Sequence, residues 1–168
     1  MNLPFFHRSR EADLDIRILI QNEDFDAGDE IRRLHAGSQR AGAIATFVGL
    51  VRDINEDDSV SGLFLEHYPG MTEKSIKEIA DEADSRWPLQ RVTVIHRVGQ
   101  LAPGDQIVFV GTASEHRQAA FESCEFIMDY LKTRAPFWKK ETRTDGDRWL
   151  TTRESDFSAA AQWQSEES

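Results

Sequence analysis

The sequence predicts an α+β fold with a largely antiparallel sheet and packed helices, and three observations carry that reading. Apolar residues switch repeatedly between period-two and helical spacing along the chain. Several period-two runs are joined by short Gly- or Pro-containing turns, a connection open to antiparallel strands and closed to parallel ones. Read in order, the elements run β-α-β-β-α-β-β-α-β-β, a hairpin-rich series that argues against alternating βαβ units. At 168 residues, 39% hydrophobic and 30% charged, the composition is that of an ordinary globular domain. A chain of about 150 residues buries roughly 68–70% of its unfolded surface, enough for one real core. Residues 1–13 read as a flexible N-terminal arm and 14–168 as a single domain.

Each element has its own signal. Ile16, Ile18 and Ile20 alternate with Arg17 and Leu19 and predict a strand. Residues 26–36 predict a short helix: Asp26 caps it, Asp29 and Glu30 suit its first turn, and Gly37 ends it. AGAIATFVGLVRD (41–53) reads as a long strand in which Gly49 marks a bulge or a close backbone approach. INEDDSVSG (54–62) is acidic and rich in turn formers, and is read as a mobile loop before the strand LFLEHY (63–68). From Met71 to Trp87, residues Ile76, Ile79, Ala80, Ala83 and Trp87 share one helical face, and Pro88 stops the helix. RVTVIHRV (91–98) and QIVFVGTA (106–113) are strands flanking the Gly/Pro turn GQLAPGD. A long helix then runs to Pro136, with Ser114 as the expected N-cap and an apolar stripe of Ala120, Phe121, Cys124, Ile127, Met128 and Leu131. FWKKETR and DRWL make a hairpin around Asp145-Gly146, and the polar tail holds a short helix near Phe157–Trp163.

Composition narrows the function classes. No apolar run approaches the roughly 18–20 residues a bilayer span needs. The opening MNLPFFHRSREADLD lacks a hydrophobic region and carries early acids, so the cytoplasm is the expected compartment. The single cysteine, Cys124, leaves no internal disulfide and no cysteine-only metal site. With a formal net charge of -10 and no basic stripe interleaved with aromatics, the chain is not expected to bind nucleic acid. Yet it gathers Lys, Arg and His between Ser114 and Trp149, which points to a site for a small anion or a partner's acidic tail.

His116 and Arg117 lie in the first turn of the long helix, where free N–H groups and two cations suit an anion. They stand equally well as exposed helix-start residues, although cations there oppose the dipole. Lys132 and Arg134 end the same helix, where the dipole favours cations without any ligand. Lys139 and Lys140 point to opposite faces of their strand, so at most one shares a pocket with Lys132. A lysine pressed against other cations has a lowered pKa and can act as acid, base or nucleophile. At about 1.5 Å of rise per residue, His116 and Lys132 lie about 24 Å apart. If both serve one small-molecule site, a second copy must supply one of them, which predicts a homodimer with composite sites. Cys124, on the apolar stripe, is read as core. His7, His35, His67 and His96 lack metal-ligand spacing and are read as surface or satisfied core residues; Asp57 and Asp58 are read as solvated. GQLAPGD lacks the Gly-Lys-Ser/Thr ending of a phosphate loop.

Five ordered blocks, FVGLVRD (47–53), LEHYPGMTEK (65–74), IHRVGQLAPGDQIVFVGTASEHR (95–117), FIMDYLKTRAPFWKKE (126–141) and GDRW (146–149), resemble the large, catalytic subunits of molybdopterin synthases. The resemblance extends from about Leu14 to Trp163. It implies an α/β-hammerhead fold and an enzyme of molybdenum cofactor biosynthesis. Such enzymes convert cyclic pyranopterin monophosphate to molybdopterin by installing two dithiolene sulfurs. The sulfur comes from the C-terminal thiocarboxylate of a small ubiquitin-like partner whose Gly-Gly tail enters the large subunit. A homodimer of large subunits with one partner at each end, a heterotetramer, is the implied assembly; no metal or other cofactor is implied. Carried over motif by motif, Arg52 binds substrate beside the backbone of Leu50 and Val51, and His116 and Arg117 hold the phosphate from the opposite subunit. Lys132 is the leading catalytic residue, with Lys139 as a second cation, acid or base. Lys140 and Glu141 line the substrate site, Phe47 and Met128 shape the pocket, and Arg153 reaches across the dimer. The N-terminal arm exceeds the family's usual start and receives no function. A non-catalytic anion-binding scaffold using the same cations is the alternative from another class.

Overall fold

The computed structural model describes residues 14–55 and 58–165; the expected arm over 1–13, His7 and Asp57 lie outside them. In chain order the first elements are β1 (Asp15–Gln21), α1 (Ala27–His35), β2 (Ala43–Leu50), β3 (Ile54–Asn55) and β4 (Asp58–His67). Then come α2 (Met71–Arg86), β5 (Leu89–Arg97), β6 (Gly99–Leu101) and β7 (Gln106–Ser114). The last are α3 (Arg117–Arg134), β8 (Phe137–Arg143), β9 (Gly146–Leu150) and α4 (Glu154–Ser165).

Two sheets result. The first has the order β1-β5-β7-β2; β1 runs parallel to β5 and the other pairs are antiparallel. The second runs β3-β4-β8-β9, with β6 also paired to β4, and is antiparallel throughout its described pairs. The α+β, largely antiparallel expectation holds. Alternation along β5 sends Val92 and Val94 into the same core as Ile76, Ile79, Phe126, Ile127 and Leu131 of α2 and α3. Burying each such side chain stabilises the fold by about 1.5–3 kcal/mol. The other face of the first sheet packs Ile95 and Phe109 against Leu34 of α1. The Asp26 carboxylate accepts from the Asp29 N–H at 2.9 Å, as the capping signal predicted.

Four local expectations are corrected. Within the stretch expected as a loop (54–62), Ile54–Asn55 pairs with the start of β4, in register Ile54↔Ser59 and Asn55↔Asp58. Its acidic and serine residues hide the strand signal, while Asn55 and Val60 are buried. Gly99–Leu101, expected as turn, pairs with Leu63–Leu65 of β4. Ser114 is not the N-cap of α3: it ends β7, and its hydroxyl donates to the Pro88 carbonyl at 2.8 Å, leaving His116 at the cap position. In the β8–β9 hairpin Arg143 pairs with Gly146, so the two-residue connection is Thr144-Asp145 and Gly146 takes φ 120° as the first strand residue. Gly49 does sit at a bulge, and a Cβ there would come within 2.7 Å of Val108 Cγ1.

The tail helix is longer than predicted and packs onto the core through Ala160 and Trp163. Trp163 of α4 packs edge-on against Trp87 at 5.7 Å and Phe126 at 5.5 Å between ring centroids. Its indole N–H donates to Asp129 Oδ2 at 2.8 Å, and Arg86 donates to its carbonyl at 2.8 Å. Among the described helices none is long and apolar enough to cross a membrane. Trp163→Ala is expected to lower unfolding stability by about 3–5 kcal/mol, the usual loss for a buried large aromatic; the midpoint of a urea titration measures it.

Candidate active site

A cavity of about 740 Å³ opens where the two sheets meet the C-terminal end of α3. Most of its charged wall comes from four pieces of chain, with Asn55, His96 of β5 and Val108 of β7 also lining it. The end of β2 and the following turn supply Phe47, Leu50, Val51 and Arg52. The last turns of α3 supply Met128 and Lys132, β8 supplies Phe137, Lys139 and Glu141, and the entry to α4 supplies Arg153 and Asp156. The bulge at Gly49–Leu50 turns β2 outward here, so that Leu50 is exposed while Val51 stays buried.

Side-chain direction on β8 follows from its pairing with β4. Leu65 faces Lys139 and Leu63 faces Glu141 in register, with Phe64 opposite Lys140 between them. Phe137, Lys139 and Glu141 therefore share the cavity face, and Lys140 lies on the other. Lys140, expected to line the substrate site, does not line this cavity in the single chain. Its ammonium sits over the rings of Phe64 (5.5 Å) and Trp149 (5.6 Å) and pairs with Asp147 at 3.4 Å. His116 and Arg117 are exposed at the far end of α3 and do not line the cavity, in keeping with the helix length between them and Lys132. Leu50, Val51, Arg52, Lys132, Lys139, Glu141, Phe47, Met128 and Arg153 all come together in it.

A buried polar cluster fixes the charged walls. Glu141 accepts from Asn55 Nδ2 at 2.6 Å and from Arg143 Nε at 2.9 Å, and Arg143 also pairs with it through a terminal nitrogen at 2.7 Å. The Asn55 carbonyl oxygen in turn accepts from Arg52 at 3.3 Å and from Arg153 at 2.6 Å. One neutral amide thus holds two guanidinium groups on the same side of the cavity. At the rim, Lys132 Nζ meets Asp156 Oδ1 at 3.3 Å. Lys139 is the unusual cation. Burial lowers its pKa below the ordinary 10.5; Lys132 and Arg153 lower it further, and Asp156 partly opposes them. Cys124 is remote from this chemistry: buried on α3, its thiol is pushed up to about 12 by desolvation and by Glu125. His67 lies 3.9 Å from Glu73, and His35 is exposed, while His96 is buried and lines the cavity.

Three site residues escaped the sequence reading. Asn55 sits in a polar, acidic stretch that looks like a loop. Asp156 sits where a helix start would carry an acid in any case. The signal for His96 was its place on the apolar face of β5, two residues after Val94 and four after Val92.

The family model of the MoaE protein matches residues 20–134. The chain belongs to the MoaE family. It is 62% identical over 151 residues to a protein of Vibrio cholerae named molybdopterin synthase catalytic subunit, covering 90% of this chain and all of that one. The solved structure of the molybdopterin biosynthesis MoaE protein from Burkholderia ambifaria superposes with a TM-score of 0.77 at 53% identity, over 89% of this chain and 98% of its own. The same fold recurs, at 21% identity and a TM-score of 0.65 over 82% of this chain and 91% of its own, in a complex of subunits 1 and 2 of molybdopterin-converting factor from Helicobacter pylori.

Two outcomes are expected for this MoaE-family site. Because Lys139 has a lowered pKa, the folded chain binds fewer protons than the unfolded chain between that value and 10.5. Stability contributed by this group therefore rises with pH across that window, and below it the charged lysine costs stability. Lys139→Met should accordingly raise Tm at neutral pH, by about 2–4 °C if roughly 1 kcal/mol is recovered, and should flatten the alkaline part of the stability profile. Asn55→Ala should destabilise by about 1–3 kcal/mol, since it leaves buried Glu141 short of a donor; thermal unfolding measures both.

Proposed function

We propose that this chain is the catalytic subunit of a molybdopterin synthase. It transfers sulfur from the C-terminal thiocarboxylate of a small ubiquitin-like partner to cyclic pyranopterin monophosphate, and so builds the dithiolene of molybdopterin. The observation that carries the reading is a cavity with two lysines and two arginines converging on it in a chain whose one cysteine is buried elsewhere. Sulfur chemistry in such a site needs sulfur delivered from outside, and an anionic thiocarboxylate and a phosphate are the guests that four cations suit. Membership of the MoaE family and the names of its relatives point the same way.

In the proposed reaction the thiocarboxylate sulfur attacks a substrate carbon, forming a C–S bond as that carbon's bond to oxygen breaks. The oxygen leaves as the phosphate end in one transfer, which opens the cyclic phosphate, and as water in the other. Each transfer leaves a thioester to the partner's terminal carbonyl. Water then adds to that carbonyl. The tetrahedral oxyanion collapses with cleavage of the acyl C–S bond, which leaves sulfur on the substrate and a carboxylate on the partner. Lys132 and Lys139 stabilise the developing oxyanions. Lys139, whose pKa is lowered by burial and by Lys132, is the candidate to give and take a proton. A second thiocarboxylate repeats the sequence, and the cyclic phosphate opens along the way. Asp156 offers Lys132 a carboxylate contact in this chain, and the partner's terminus would take its place. Arg52 and Arg153, held by Asn55, bind substrate. His116 and Arg117 of a second copy hold its phosphate, and the chain acts as the homodimeric core of a heterotetramer without a metal or other cofactor.

Incubation with the thiocarboxylated partner and the cyclic pterin should yield dithiolene product. Both ligands bound without product would favour the anion-binding scaffold instead. Lys132→Ala should lower turnover by about 10²–10³-fold with an unchanged circular dichroism spectrum; full turnover would remove the assignment. The composite site has its own signature. Lys132→Ala and His116→Ala/Arg117→Ala chains, each inactive alone, should regain activity when mixed and allowed to exchange subunits, because one site of each mixed dimer is intact. Continued inactivity of verified mixed dimers would place both groups in one protomer's chemistry.

A further inference from the structure

His96 is the cavity residue for which the proposed reaction has no use. It is 5% exposed, sits at the end of β5, and stacks on Phe137 with ring centroids 3.8 Å apart and planes 18° from parallel. Its Nδ1 lies 2.8 Å from the Arg97 carbonyl oxygen. A carbonyl only accepts, so Nδ1 carries the proton and donates, which leaves Nε2 as a bare lone pair. Among the described residues Nε2 takes no hydrogen bond, although the ring lines the cavity.

That lone pair differs from every other carboxylate, amide or imidazole acceptor in the wall. Glu141 is engaged by Asn55 and Arg143, Asn55 by Arg52 and Arg153, and Asp156 by Lys132. The Nε2 acceptor is not sealed from solvent: it opens onto the cavity, where a guest can reach it. Two restraints hold this one in place, the carbonyl on one ring edge and the phenyl ring on one face, so it is a rigid feature and not a wandering side chain. It also stays neutral, since burial, with smaller effects from Lys139 and His67, lowers the imidazole pKa to about 3. A neutral acceptor beside cations repels phosphate oxygens and attracts N–H or O–H groups.

We infer that Nε2 of His96 accepts a hydrogen bond from an N–H or O–H on the ring edge of the heterocyclic substrate, making His96 a specificity-determining residue that orients the ring while the cations hold its phosphate. The inference rests on the reaction proposed above. It divides the cavity by chemistry: charge reads the anionic end of the guest, and an uncharged acceptor reads the other.

The test uses two substitutions in the full chain with its thiocarboxylated partner. His96→Asn keeps a donor for the Arg97 carbonyl and removes the distal acceptor; His96→Gln keeps an acceptor at the distal position. His96→Asn should raise KM for the cyclic pterin by about 3- to 10-fold with kcat and the KM for the partner little changed, and His96→Gln should restore KM to near the native value. An unchanged pterin KM in a folded His96→Asn chain would overturn the inference while leaving the reaction standing. Absence of product from the native chain would overturn both. Should the Asn variant not fold, ¹⁵N spectra of the native protein decide. The Nε2 resonance should be pyridine-like in the free chain and move upfield as the cyclic pterin is added, and a resonance that stays put at saturation would overturn it.

Discussion

β8 is held between β4 and β9, and its pleat leaves no freedom in where alternate side chains go. With Leu65 opposite Lys139 and Leu63 opposite Glu141, the odd-numbered residues Phe137, Lys139 and Glu141 must face the cavity. A slip of one residue would exchange Lys139 for Lys140 and Glu141 for Thr142, and would turn Trp138 inward. The Asn55–Glu141–Arg143 cluster pins the register from the cavity side, because it satisfies Glu141 only in this alignment. The aromatic surroundings of Lys140 pin it from the other side. Everything the cavity does with charge follows from that one alignment.

The cavity then accumulates a conflict. Lys139 is desolvated and close to Lys132 and Arg153, an arrangement that favours its neutral form. A chain selected for stability alone would place an apolar residue there. The surrounding structure is built to withstand the strain: Asn55 takes two guanidinium groups on one oxygen, and Asp156 is brought in from α4 to offset positive charge at the rim. That second compensation depends on a contact well away from the cavity. α4 holds its place because Trp163 fills the gap between Trp87 and Phe126, so packing on the far side of α3 sets the electrostatics at its C-terminal end.

Most of the fold was legible in the sequence because its signals are periodic: the isoleucines of β1, the stripe of α2, the capped α1 and the FWKKETR strand all declare their faces. What stayed hidden was short or polar. β3 and the start of β4 are an edge hairpin within an acidic, serine-containing stretch of sequence, and β6 is three residues inside a Gly/Pro segment. Ser114 looked like a helix cap because serine suits that position, yet its hydroxyl was taken by Pro88 across the sheet. The site was legible to the extent that it is made of cations at motif positions. Asn55, Asp156 and His96 were missed because an amide, a carboxylate and an imidazole signal a role only through what they touch. The separation of His116 from Lys132 was readable from helix rise alone, and the single chain leaves the two at opposite ends of α3.

Cys124 gives the arrangement a wider meaning. Enclosed by the packing of α3 against β7 and with its thiol pushed up to about 12, it has a negligible thiolate population at neutral pH. Alkylating agents, peroxide and glutathione disulfide are attacked by cysteine as its thiolate, so Cys124 offers them little. In the proposed pathway the oxidisable sulfur travels on the carrier. Thiol-directed damage would then fall on a small, reloadable peptide end and spare the one cysteine of the larger protein.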